Sequence, residues 1–366
     1  MRIIQVAPFY HPVLGGVEKV VQKISEYMKE KGHEVVVVTY NRDRDKSNIY
    51  KEKEIINGVE VIRLPPKFTW SHGSYSSLLP KIVSDLNPDL IHVHVWRHPH
   101  VFQLSSMKVP KILQPHSPFY SRKQIGKFTF IYYKIVDSFL GKEMKNYNVI
   151  SITPLERDTI KKKFKVDSVV IPNGIEDYYF DVKSKGDDYY LFLGRVSSEK
   201  NVMKMLKGFA LSKVSRPLII AGPDGGLGTE VRSFIHKTGI NAKYVGSVTE
   251  EEKIELLSKC RALINPRPYE AFGITLIEAQ AMGKPCMIVG HGGQEYAAPP
   301  GVSSIRGEDN EVDISNLFKQ IENDEIFELL SKGARQYSER FRYSKVLAEI
   351  EEYYNTVAQK TIEKNN

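Results

Sequence analysis

The strongest constraint on this chain is an alternation. Short apolar runs, RIIQVA, EVVVVTY, LIHVHVW, KILQP, NVISIT and SVVIP, are separated by stretches whose apolar positions recur every three to four residues, as in VEKVVQKISEYMKEKG at 17–32, which finishes on Gly32. Valine and isoleucine are stiff at χ1 and suit a pleated surface. Strand alternating with helix predicts a parallel sheet wound on both faces, an α/β fold. EIINGVEVIRLPP interrupts the rhythm, and its Asn57-Gly58 pair predicts a hairpin at an edge.

The same grammar restarts after DVKSKGDD at 181–188, a stretch with almost nothing to bury that suits a linker or loop. YYLFLG, RPLIIAG, AKYVG, RALINP and KPCMIVG follow, each separated by a helix-like run. At 366 residues the chain exceeds one ordinary core. We read two Rossmann-like doubly wound domains, 1–172 and 173–342, facing across a cleft. Helical patterns close the chain at 311–322, 324–339 and 343–358, the last expected to cross back to the first domain within 343–366. Ligands of such sheets bind beyond the carboxyl ends of strands, where strand order reverses.

The two cysteines, Cys260 and Cys286, lie in apolar runs, which points to a reducing compartment. The beginning MRIIQVAPFY lacks the pattern of a secretory signal, and no stretch approaches the roughly 18 apolar residues of a spanning helix, so a cytoplasmic location is expected. A net charge of +8 and a pI near 9.1 favour an anionic partner, whether nucleotide, membrane surface or nucleic acid.

Three segments of the second half carry chemistry. YYLFLGRVSSEKN leaves a strand at Gly194 and delivers Arg195 and Lys200 to a helix start near Asn201, where cations and helix amides favour phosphate; a solvated loop explains the same residues. LIIAGPDGGLGTE brings a glycine-rich turn to a helix start near Leu227 but departs from the dinucleotide-binding spacing, which disfavours a nicotinamide cofactor. In RPYEAFGITLIEAQAMGKP a helix starting near Gly273 leaves the amides of Phe272, Gly273, Ile274 and Thr275 for a pyrophosphate. Glu270 precedes that end and Glu278 lies more than a turn inside the helix, a separation that fits sugar hydroxyls at Glu270 and ribose at Glu278. A loop glutamate and a helix-surface glutamate are the plainer reading of the pair.

GRVSSEK, EAFGITLIE with its E-x7-E spacing, and GHGGQE occur in order, with GGVEK near the start and IPNGI at 171–175. Together they resemble the retaining glycosyltransferases of the GT-B fold, family four, the glycosyl transferases group 1. The resemblance implies that Gly194, Arg195 and Lys200 hold the donor diphosphate, that Glu270 meets the donor sugar and Glu278 the ribose, and that the amides of Phe272 to Thr275 complete the donor site. It implies that Gly15 and Gly16, in YHPVLGGVEKVV, face the donor phosphate, a segment that read alone is a flexible turn. It places His116, in ILQPHSPFY, beside the reacting carbon, where a neutral imidazole could donate to a sugar hydroxyl and help hold developing charge. His116, Glu270, Arg195 and Lys200 are therefore the catalytic expectation.

No metal is expected. His92, His94, His98 and His100 in LIHVHVWRHPH lack a zinc-type third ligand, and Asp43-x-Asp45 sits in a highly charged loop of the wrong half. No cofactor is expected beyond a nucleotide sugar as donor. The acceptor is a glycan, a lipid-linked sugar or a small molecule, and nucleic acid is not an expected partner. A nucleotide-sugar epimerase, or a basic nucleic-acid-binding protein, is the competing reading. Residues 119–148 mix lysines with aromatics; we read an ordinary helix with its aromatics packed inward, the alternative being contact with an anionic membrane.

Overall fold

The computed structural model describes residues 1–13, 15–43, 48–70, 73–116 and 125–365. They form two units, Met1–Asn173 together with Val346–Asn366, and Gly174–Lys345.

The first unit contains β1 (Arg2–Val6), β2 (Glu34–Tyr40), β3 (Lys53–Ile56), β4 (Val59–Leu64), β5 (Phe68–Trp70), β6 (Gly73–Tyr75), β7 (Leu90–His94), β8 (Lys111–Gln114), β9 (Asn148–Ser151) and β10 (Ser168–Val170). Eight of these build one sheet in the order β10-β9-β8-β7-β1-β2-β4-β3, while β5 and β6 pair separately. Every neighbouring pair is parallel except β3 with β4, the hairpin turned by Asn57 and Gly58 at φ of 49° and 79°. Helices cover both faces, so β2, β7 and β8 are buried almost end to end and read as continuous apolar runs rather than alternating ones. Strand order reverses between β1 and β7.

The second unit contains β11 (Tyr189–Leu193), β12 (Leu218–Ala221), β13 (Ala242–Gly246), β14 (Cys260–Asn265), β15 (Cys286–Val289) and β16 (Ser304–Gly307), all parallel in the order β13-β12-β11-β14-β15-β16. Its reversal falls between β11 and β14. The α/β doubly wound architecture expected from the alternation is present twice.

The final helix, Tyr343–Asn365, begins on the second unit, where the Ile175 and Tyr343 backbones bond at 2.9 Å. It continues onto the first unit and buries Val346, Leu347, Ile350, Tyr354 and Val357, a three-to-four-residue spacing that lines one face.

One reading is narrowed and one changes. DVKSKGDD is a loop inside the second unit: Lys284 donates to Ser184 Oγ at 2.6 Å and to the Gly186 carbonyl at 2.5 Å, and Arg261 pairs with Asp187 at 2.7 Å. Cations contributed by distant residues fix a segment that looked unattached. The helix Lys127–Glu143 does not pack its aromatics inward. Phe128 is 86% exposed and Phe139 64%, while Asp137 is buried, because the inward face is committed to an ion pair rather than to rings. Residues 119–124 of the 119–148 stretch lie outside the described residues.

Candidate active site

In the second unit the two loops at the sheet reversal meet. The loop after β11 is fastened to the glycine-rich turn after β12: Gly194 N donates to the Ala221 carbonyl at 2.9 Å, and Gly225 N to the Val196 carbonyl at 2.9 Å. A Cβ on Gly222, at φ +136°, would stand 2.1 Å from the Gly194 carbonyl oxygen, so only glycine permits this approach. Arg195 lies along Gly225 and is exposed; among the described residues its guanidinium makes no hydrogen bond or ion pair.

Ser198–Lys200 forms one 3-10 turn, and Asn201 reverses the chain in left-handed conformation before the helix Val202–Ser212. Asn201 Nδ2 donates to the Pro266 carbonyl at 3.0 Å, drawing the loop after β14 alongside. Lys200 Nζ then reaches Glu270 Oε2 at 2.6 Å, and Arg267 reaches Glu270 Oε1 at 2.9 Å. Arg267 also pairs with Glu199. Burial alone would raise the Glu270 carboxyl, but Lys200 and Arg267 outweigh it and hold the group ionised, below the usual carboxylate range.

GHGGQE supports this loop from below. Gln294 Oε1 accepts from Glu270 N at 2.8 Å, and Gly293 N donates to the Glu270 carbonyl at 2.8 Å. A Cβ on Gly293 would stand 1.7 Å from the Ala271 carbonyl oxygen. Gly273, at φ +95°, turns the chain into the helix Ile274–Ala281, and the amides of Phe272, Gly273, Ile274 and Thr275 make no hydrogen bond among the described residues. Such a helix start attracts an anion.

Glu278 is not a helix-surface residue. It is 3% exposed, and its Oε1 accepts from Lys253 Nζ at 3.0 Å and the Tyr179 hydroxyl at 3.2 Å. Its Oε2 is buried with no partner among the described residues, the atom a ligand hydroxyl would satisfy. Lys253, Arg267 and Gln294 were missed in the sequence. Arg267 had a signal, three residues before Glu270, and Gln294 lies in GHGGQE, although no role was assigned to it there.

In the first unit, Gly15 is extended at φ 176° and Gly16 opens the helix Gly16–Glu30; both are exposed, past the end of β1. His116 follows β8 in left-handed conformation, φ +54°, and is almost fully buried. Its Nε2 lies 3.0 Å from His94 Nδ1, His94 Nε2 lies 2.8 Å from Gln5 Oε1, Gln5 Nε2 donates to the Tyr354 hydroxyl at 3.0 Å, and that hydroxyl lies 2.6 Å from His92 Nδ1.

Donor and acceptor bookkeeping sets the protons along this chain. Gln5 Oε1 can only accept, so His94 carries its proton on Nε2 and accepts on Nδ1 from His116 Nε2–H. Burial lowers all the rings: His92 and His94 far below the ordinary histidine range, His100 to about 4 and His116 to about 3. A neutral His116 whose one proton is given to His94 presents Nδ1 as an acceptor, opposite in polarity to the donation expected from the sequence. His92 and His94 share a face, their ring centroids 4.0 Å apart. Among the described residues no group of three or more His, Cys, Asp or Glu is arranged to hold a metal ion. Asp43 accepts from Asn48 Nδ2 at 2.5 Å, a turn contact, and Asp45 lies outside the described residues.

Two family profiles follow one another along most of the chain: Glycosyltransferase Family 4 matches residues 14–177, and Glycosyl transferases group 1 matches 176–341. O-antigen chain mannosyltransferase C of Escherichia coli is 25% identical over 310 residues, covering 78% of each chain. Glycogen synthase of Mycobacterium tuberculosis is 26% identical over 344 residues, covering 83% of this chain and 82% of its own. Among solved structures, sucrose-phosphate synthase from Thermosynechococcus elongatus superposes with a TM-score of 0.77 at 17% identity, covering 97% of this chain and 98% of its own. Anabaena HepE in complex with UDP superposes at 0.75 with 16% identity, covering 97% and 100%. At these identities the solved structures speak for the fold.

Proposed function

The chain belongs to the family-four, group 1 glycosyltransferases of GT-B fold, and from that premise we propose that it moves a hexose from a nucleoside diphosphate sugar to an acceptor hydroxyl with retention of the anomeric configuration. One observation carries the donor assignment. The loops 194–201 and 266–273 meet through Lys200 and Glu270, beside the amides of Phe272 to Thr275, which have no partner among the described residues. Structures of like fold hold UDP and UDP-glucose, which supports a nucleotide sugar as donor.

In this reading Arg195 and Lys200, with the amides of Phe272 to Thr275, hold the diphosphate and stabilise its charge as it departs. Gly194 lets the backbone approach closely. Glu270, kept ionised between two cations, accepts from donor sugar hydroxyls; Glu278 accepts from the ribose through its orphaned Oε2. The resemblance further assigns His116 to a sugar hydroxyl, from which it would accept at Nδ1, and Gly15 and Gly16 to the donor phosphate. The positive charge of Arg195 and Lys200 stands where other transferases use a divalent cation, so transfer needs no metal and no cofactor. The acceptor is a glycan, a lipid-linked sugar or a small molecule. Two buried free thiols accord with work in the cytoplasm.

The test is calorimetry and thermal shift against a panel of nucleotide sugars, with and without EDTA, followed by NMR of the product anomer. Binding of one donor, an unchanged rate in EDTA and a retained anomer support the reading. An inverted product overturns the stereochemistry, and sugar interconversion without acceptor overturns transfer in favour of epimerisation. Glu278→Ala separates the ribose role, with expected weakening of donor affinity by roughly ten- to hundredfold, the range of a lost hydrogen bond to a charged group. Unchanged affinity removes Glu278 from the donor site.

A further inference from the structure

The helix Lys127–Glu143 turns an apolar ridge to solvent. At 3.6 residues per turn Phe128, Ile131, Tyr132, Ile135 and Phe139 fall within one face, and they are 86, 44, 43, 55 and 64% exposed. Lys127 and Lys134 run along one flank of that ridge and Lys142 stands at its far end, all three exposed. The opposite face cannot exchange with it. Arg97 grips Asp137 through two hydrogen bonds of 2.7 and 3.0 Å and lies over the rings of Trp96 and Tyr133, 4.0 and 4.4 Å from their centroids, while Lys163 closes on the same carboxylate. Turning the ridge inward would strip a buried aspartate of both cations.

The ridge continues into a groove of about 470 Å³, lined by Tyr132, Ile135 and Phe139 from the helix and by Tyr75, Pro99 and Phe102 across from it. A contiguous apolar surface of this kind marks an interaction site. Charge selects the partner. Lysines beside an apolar ridge can lie in the headgroup layer while the rings sink below it, the arrangement of a helix lying in an interface. No described helix is long and apolar enough to cross a membrane, so this is docking and not spanning.

We propose that the 127–143 helix docks the first unit onto an anionic lipid bilayer, ridge and groove in the acyl boundary and lysines among the headgroups. The inference goes beyond sugar transfer and does not depend on which donor is used.

The test is co-sedimentation of the full chain with phosphatidylcholine vesicles and with phosphatidylcholine vesicles containing phosphatidylglycerol. Binding to the anionic vesicles only, weakening with salt, is expected. Phe128→Ser with Phe139→Ser should reduce it at least about tenfold, since each removes a ring from the acyl boundary. Lys127→Gln, Lys134→Gln and Lys142→Gln together should reduce it roughly a hundredfold, given the attraction of each basic residue to an anionic surface. All five side chains are exposed, so unchanged thermal unfolding serves as the folding control. Failure to bind anionic vesicles, equal binding to neutral ones, or full binding by the double serine variant overturns the proposal. So does a concentration-dependent dimer that the serine variant dissociates, because the ridge would then be covered by a second copy.

Discussion

The Tyr354 hydroxyl lies 2.6 Å from Nδ1 of His92, joining the last helix of the chain to the seventh strand of the first unit. The same oxygen accepts from Gln5, so one hydroxyl satisfies two buried groups. Tyr354→Phe keeps the ring and leaves Gln5 Nε2 and His92 Nδ1 without a partner. The expected loss is about 1–3 kcal/mol for unsatisfied buried polar groups, read as a lower urea midpoint at unchanged slope. An unshifted midpoint would show that the network does not hold the helix.

The buried histidines His92, His94, His100 and His116 make the first unit acid-sensitive. Each ring titrates lower in the folded chain than its ordinary value near 6.5, about 4 for His100 and about 3 for His116, so the unfolded chain binds more protons below neutrality. Their contribution is complete above pH 6.5 and is lost as the pH falls from there toward the folded-state values, about 4 for His100 and about 3 for His116. Stability should decline by up to about 1.4 kcal/mol per pH unit for each ring involved. Urea midpoints at pH 7.5, 6 and 5 measure this, and a flat profile refutes neutral burial.

Arg195 and Lys200 should separate in stability while agreeing in turnover. Arg195→Ala removes a side chain with no hydrogen bond or ion pair among the described residues, so unfolding should move by less than about 0.5 kcal/mol. Lys200→Ala removes one of the two cations on Glu270 and should destabilise measurably. Both should lower sugar-transfer turnover by on the order of 10² to 10³ if they stabilise the departing diphosphate. Wild-type turnover in both variants would take them out of the mechanism.

Gly293→Ala tests how strictly the Glu270 loop is placed. The added methyl would collide with the Ala271 carbonyl, so the loop must move away from Gln294 and carry Glu270 with it. About 1–3 kcal/mol of stability and most of the turnover should be lost together. A stable, active alanine variant would mean that this backbone can shift freely.

The alternation of apolar runs and periodic helices made both sheets legible, because parallel strands covered on two faces leave an unmistakable sequence trace. The convergence of 194–201 with 270–278 was legible only through the motifs and the resemblance, because a single chain does not print its strand order; in the structure the loops meet where that order reverses, between β11 and β14. Lys253 left no trace, and Gln294 stood in GHGGQE with nothing to tie it to Glu270. Gln294 meets Glu270 only because β14 and β15 are neighbours in register, and Lys253 meets Glu278 across 25 residues of chain. The helix at 127–143 was misread for a related reason. Its composition suits burial and exposure equally, and the deciding contact, Arg97 with Asp137, spans 40 residues.

The return of the last helix to the first unit also orders events at the ribosome. Residues 174–345 are one uninterrupted stretch and can fold as soon as they emerge, whereas the amino-terminal sheet, although synthesised first, waits with Gln5 and His92 unsatisfied until Tyr354 arrives. A chain cut short near residue 340 would therefore lose integrity at its beginning, far in sequence from the missing piece.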